Sequence, residues 1–160
     1  MIRIIAAIDN RLGIADENGI PWRGKLPSDI AYYRSHIANT PVIMGRGVYD
    51  ELSNPYPGAV NYVATTDIHP LRHGFTPIPD AGSFLRGYKS DIWILGGAIL
   101  YKSTLNLAGE LYLTRIENDF HCTKFFPHFD HLFSLKSRSQ PVLENKLQLY
   151  FEVWDRKTTS

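Results

Sequence analysis

The chain has 160 residues, the usual size of one domain able to bury its own core. Hydrophobic residues (44%) and charged residues (21%) sit near the averages of folded globular domains, which excludes a disordered tail or a fibrous repeat. Lys and Arg (17) nearly balance Asp and Glu (16) for a net charge of +1, so there is no basic footprint for nucleic acid or an anionic membrane, and a single cysteine excludes an intrachain disulfide.

Ile2 to Ile8 is an apolar run broken only by Arg3, the pattern of a strand covered on both faces. It is too short to span a bilayer and lacks a signal peptide's extended apolar region and cleavage site. The lone cysteine points to a reducing, cytoplasmic setting, the length to one domain, residues 1–160, and a monomer is expected. Asp9 to Pro27 is rich in Gly, Pro, Asn and Asp, and so long an irregular connection points to function. Residues 28 to 38 read as a helix with Ile30, Tyr33 and Ile37 on one face. Pro41 to Gly45 reads as a buried strand, Arg46 to Leu52 as a two-turn helix, and Asn54 to Gly58 (NPYPG) as the turn that ends it.

Val60 to Ala64 is the next predicted strand, with a further short one at Phe75 to Ile78 inside a loop. Asp80 is placed to cap a short helix. Asp91 to Leu95 (DIWIL) is a central strand, and Gly96-Gly97 turns the chain into a helix from Ala98 to Leu107. Leu111 to Ile116, Phe133 to Leu135 and Leu147 to Trp154 are the last strands, the final two separated by a polar loop and read as a hairpin. Strands alternating with helices early and a hairpin late predict an α/β mixed sheet, mostly parallel with an antiparallel edge.

Several residues allow two readings. Asp29, in LPSD, either supports the start of its helix, as Ser28 also could by capping, or turns its carboxylate into a cavity beside Tyr33 to grip a planar amidine-like edge. Gly96-Gly97 is either a tight turn or an approach for phosphate to backbone amides, the full GxGxxG fingerprint being absent. Arg46, between Gly45 and Gly47, is a poor residue for a helix start and therefore a phosphate candidate, or else a surface arginine paired to an acid. Thr65 and Thr66 end a strand and could reach a phosphate or cap the next turn. The six histidines are scattered, so no metal site is expected, and Cys122 reads as a packing residue.

In order along the chain, IIAAI, GIPW, LPSD, PVIMGR, ILGGAILY and LYLTRI resemble the dihydrofolate reductase family over nearly the whole length. The resemblance implies a single-domain three-layer fold with an eight-stranded mixed sheet, NADPH as cofactor and dihydrofolate or another dihydropterin as substrate. It implies catalytic roles for Asp29, which would hold the pterin's pyrimidine edge, and for Trp22, which would position the loop and an ordered water. Ile5, Ala6, Ile30, Tyr33, Leu52, Tyr56, Leu95 and Thr114 would line or support the substrate cavity. Ala7, Ile14 and Ile20 would border the nicotinamide, under a loop running from Asp9 to Trp22. Gly45, Arg46, Gly47, Val48, Thr65 and Thr66 would hold the phosphates and adenosine side, and Gly96, Gly97, Ala98, Ile99 and Tyr101 would complete the cofactor cleft.

The implied reaction is hydride transfer to C6 of 7,8-dihydrofolate with protonation of N5, giving 5,6,7,8-tetrahydrofolate. Two departures bear on it. Ala59 follows Pro57-Gly58 where the family has an arginine that clamps the substrate's glutamate carboxylate, and Val48 replaces a threonine beside the cofactor. Arg23 or Lys25 is a candidate for a replacement charge. Two alternatives accompany these departures: a reductase of a tail-free dihydropterin or related heterocycle, and a non-catalytic nicotinamide-cofactor-binding protein.

Overall fold

Apolar side chains on both faces place the first strand, β1 (Ile2–Ile8), inside a sheet, as expected from its sequence. In the computed structural model of the protein, residues 1–158 are described. Chain order continues with β2 (Gly13–Ala15), α1 (Pro27–Ile37), β3 (Val42–Met44), α2 (Arg46–Glu51), β4 (Asn61–Ala64), β5 (Phe75–Ile78) and α3 (Ala81–Arg86). Then come β6 (Ile92–Ile94), α4 (Ala98–Thr104), a 3-10 turn over Leu105–Leu107, β7 (Glu110–Ile116), β8 (Lys124–Phe125), β9 (Phe133–Arg138), β10 (Val142–Glu144) and β11 (Leu147–Arg156).

The main sheet runs β10-β11-β7-β1-β6-β3-β4-β5, with β9 also paired to β11. From β7 to β5 every pairing is parallel, and β11 closes that side antiparallel to β7. Nine segments occupy eight positions. The two short segments share one edge of β11, with β10 opposite Leu147 to Leu149 and β9 opposite Glu152 to Arg156.

The segment between Leu135 and Leu147 is therefore not the polar loop its composition suggests. It holds the rest of β9 and all of β10, which the edge position allows to be largely polar and exposed. Asn145 and Lys146, both at positive φ (48° and 65°), make the two-residue turn that returns the chain as β11. Two further short strands, β2 and β8, pair with each other and bring order to the long first loop.

The core has two faces. One, under α3 and α4, contains Ile4, Ala6, Ile8, Leu85, Leu100 and Tyr101; the other, under α1 and α2, contains Ile5, Ile37, Met44, Tyr49 and Leu95. Alternation along β1 decides which residue meets which layer. A third cluster gathers Trp22, Leu26, Ile116, Cys122 and Leu149 where the first loop crosses the antiparallel end. Among the described residues no helix is long and apolar enough to cross a membrane.

Candidate active site

Helix α1 begins without a side-chain cap: Leu26 is its N-cap residue and Pro27, with no N–H to satisfy, takes the first turn. Ser28 is therefore not the cap that its identity suggests. Its amide donates to both carboxylate oxygens of Glu144 at 3.2 and 3.3 Å, and its hydroxyl donates to the same carboxylate. Asp29 does not cap either. The Thr114 hydroxyl on β7 donates to Asp29 Oδ1 at 2.7 Å, and Thr114 is itself 2% exposed and registers with Ala7 of β1.

Burial pushes the Asp29 carboxyl above its ordinary range. The Thr114 bond opposes that shift and the negative charge of Glu144 adds to it. The charge of Asp29 also reaches the Tyr101 phenol, whose hydroxyl donates to the carbonyls of Ile5 (2.8 Å) and Leu95 (2.9 Å). Tyr101 thus ties β1 to the end of β6 beside the Gly96 turn, near enough to Asp29 to feel its charge, and these groups outline a candidate cleft.

The α1 side of this cleft is aromatic. Tyr33 and Tyr56 meet hydroxyl to hydroxyl at 3.1 Å with their rings edge to face, and Ile5, Leu52 and Leu95 belong to the same cluster. Burial, with the neighbouring Tyr56, holds the Tyr33 phenol well above its usual range. Ile30 is 42% exposed, so the expected apolar face of α1 is divided, with Ile37 buried in the core and Ile30 open. Ala6 faces the other way from Ile5. Its side chain packs with Ile4 and Ile8 under α4, on the opposite face from Ile5, because neighbours on a strand point to opposite sides.

The other half of the cleft is built of glycine. The Gly45 amide donates to the Gly96 carbonyl at 2.6 Å, joining the ends of β3 and β6, and a Cβ at Gly45 would lie 3.3 Å from that oxygen. Gly96 has φ +100°, and a Cβ there would strike the Tyr101 ring at 2.7 Å. Gly47 and Gly97 have open space around them, and α2 and α4 both start without a side-chain cap. Free amides, open glycines and a nearby cation at the carboxyl ends of parallel strands suit an anionic dinucleotide.

Arg46 is the cation nearby, and it pairs with acids. It lies 3.6 Å from Asp50 and 3.4 Å from Asp67, with its guanidinium over the Tyr49 ring. Thr65 accepts from the Asp67 amide, the turn-capping alternative, while Thr66 is exposed. Val48 packs on the α1-side cluster, Ala98 is half-buried and Ile99 is 87% exposed at the start of α4.

The first loop is held from below by Asp9, a residue the sequence did not single out. Fully buried, it accepts from the amides of Arg11 (2.9 Å) and Gly13 (2.7 Å) and, across 111 residues, of Phe120 (3.0 Å). Trp22 packs on Phe120 with ring centroids 5.1 Å apart and on the cluster that includes Ala7, while Ile14 packs on the α4-side core and Ile20 is 39% exposed. Cys122 is the expected packing residue, with burial and Asp9 raising its thiol to about 11. Arg23 does not stand free as a replacement charge; its guanidinium is 2.8 Å from Glu51. Glu144 and Asp9 act through contacts distant in sequence, and no local motif marks them.

A family model described as dihydrofolate reductase matches residues 1–156. The dihydrofolate reductase of Bacillus subtilis (strain 168) is 29% identical over 165 residues, covering 100% of this chain and 97% of its own. That of Buchnera aphidicola subsp. Baizongia pistaciae is 31% identical over 133 residues, covering 82% and 80%. Among solved structures, a dihydrofolate reductase from Enterococcus faecalis complexed with NADP(H) and RAB-propyl superposes with a TM-score of 0.86 at 23% identity, over 99% of this chain and 97% of that one. With a family match from its first strand to the end of β11, and a sheet of the same architecture, this chain belongs to the dihydrofolate reductase family of oxidoreductases.

Proposed function

We propose that the protein is an NADPH-dependent dihydrofolate reductase, reducing 7,8-dihydrofolate to 5,6,7,8-tetrahydrofolate with hydride arriving at pterin C6 and a proton at N5. The observation that carries this reading is Asp29, a largely buried carboxylate bound by Thr114 at the inner end of a cleft whose other half is the Gly45–Gly96 junction. Bound NADPH would supply the hydride, and Gly45 to Gly47, Thr65, Thr66 and Gly96 to Ile99 are the residues placed to hold it.

Asp29 accepts from the nitrogen-rich edge of the pterin and fixes its orientation. A charged acceptor in a water-poor cleft makes stronger bonds than the same group in solvent. Its raised affinity for a proton suits a reaction that consumes one. Trp22 and the loop anchored by Asp9 exclude solvent from the reacting end. The purified protein should oxidise NADPH in step with added dihydrofolate, followed by the loss of nicotinamide absorbance. Absence of turnover on every dihydropterin offered would contradict the proposal.

One observation favours a second substrate range. Of the two candidates to replace the arginine missing at Ala59, Arg23 pairs with Glu51, and the nearby Arg72 donates to the carbonyls of Tyr49 and Leu52. Recognition of the glutamate tail is accordingly weak. Dihydrofolate and a dihydropterin lacking that tail should differ in KM by less than about tenfold, whereas a clamped carboxylate would separate them further.

A further inference from the structure

Two neighbouring residues of α1 are tied to two strands of the sheet, β7 and β10, that lie on either side of β11. Asp29 is bound by Thr114 of β7, and Ser28 is bound through both its amide and its hydroxyl by Glu144, the last residue of β10. The same hairpin holds the chain just before the helix, since Asn145 Nδ2 donates to the Lys25 carbonyl at 2.5 Å. Its second arm, β11, is in register with β7, with Phe151 opposite Thr114. Both anchors therefore belong to one rigid antiparallel unit, although Glu144 and Ser28 are 116 residues apart.

We propose that Glu144 is the positioning residue for Asp29, pinning the first turn of α1 so that the carboxylate stays against Thr114 and faces the cleft. The Thr114 bond fixes one oxygen of Asp29, and the Asn145 bond fixes the chain before the helix. The Glu144 bonds to Ser28, one residue before Asp29, fix the turn between them.

The choice of residue argues for more than capping. A serine, threonine or asparagine would satisfy the first-turn amides without bringing a second carboxylate toward a buried one. The polar groups facing Asp29 are Thr114 from β7, Tyr32 and Tyr33 on its own helix, Tyr101 from α4 and Glu144 from β10, with no cation among them. Among the described residues Glu144 is the charge that acts on Asp29, and it favours the protonated carboxyl.

The kinetic part of the test rests on the reductase reading, and the spectroscopic part does not. Glu144→Ala should lower kcat on dihydrofolate by about ten- to a hundredfold with NADPH affinity unchanged. Glu144→Gln keeps an oxygen acceptor for the Ser28 amide and should restore kcat to within about threefold of the parent. In the ligand-free protein, the carboxyl carbon-13 resonance of Asp29 should titrate at lower pH than in the parent in both variants, since each removes a like charge.

If both variants match the parent in kcat and in the Asp29 titration, the inference is wrong. A parent without turnover would remove the reductase reading, and a ligand-free crystal structure of Glu144→Ala would then decide the role of Glu144: Asp29 displaced from Thr114 supports it, and Asp29 unmoved overturns it. If Glu144→Ala does not fold, the isosteric Glu144→Gln carries the titration alone.

Discussion

Asp29 carries two opposed demands, since the burial that concentrates its field on a ligand also makes its ionised form costly. An acid whose folded-state affinity for protons is raised contributes nothing at low pH, where both states are protonated. As pH rises through the ordinary carboxylate range the unfolded chain ionises first, so stability falls, and the loss is complete above the raised folded value. Asp29→Asn should therefore melt at a higher temperature than the parent at neutral pH, with the gain fading under acid conditions, while turnover drops at least about a hundredfold. Equal melting temperatures at neutral pH would show that the carboxylate carries no burial penalty.

At this scale LPSD was readable as a short motif, and it led to the carboxylate but not to what fixes it. Ser28 was expected as a cap because local rules favour serine there; the cap comes instead from a strand far along the chain, which no local rule can reach. Ala6 was grouped with Ile5 through the resemblance, although strand alternation separates their side chains.

Among the elements, the parallel strands were legible because burial on both faces leaves continuous apolar runs such as DIWIL and PVIM. Strands β2, β8 and β10 were not, because segments of two or three residues at an edge or in a loop carry no periodic signal. The first loop was legible as functional from its length alone, whereas its anchor was hidden in the buried contacts of Asp9. Removing that anchor strands three backbone donors, so Asp9→Ala should cost about 2 to 4 kcal/mol in chemical denaturation. It should also raise the KM for dihydrofolate by loosening the cover of the cleft. A stability change below about 0.5 kcal/mol would mean that the loop holds itself.

For the whole molecule, the antiparallel end is both scaffold and part of the site. Glu152 on β11 is fully buried between the guanidinium groups of Arg115 (3.2 Å) and Arg138 (2.6 Å), with the Trp154 indole donating to it. Taking away the carboxylate leaves two arginines facing each other, so Glu152→Ala should lose about 3 to 5 kcal/mol. Because β11 carries the hairpin that holds Ser28 and registers with Thr114, the same variant should displace Asp29 and lower kcat even at temperatures where it remains folded. Full activity in a folded Glu152→Ala protein would separate the edge from the site. Sequence placed β7, β11 and the start of β9 at this end but neither β10 nor the ion pairs, since charges on alternating positions look the same whether they face solvent or one another.

The account as a whole depends on one placement: the Asp29 carboxylate meets the substrate's heterocycle next to the cofactor. A crystal structure with oxidised nicotinamide cofactor and a folate-type ligand bound together tests it most directly. The expected result is Asp29 within hydrogen-bond distance of the ligand's pyrimidine nitrogens, still bound by Thr114, with the nicotinamide on the Gly96 side of the ring. A ring bound elsewhere, with Asp29 making only its protein contacts, would contradict the proposed function.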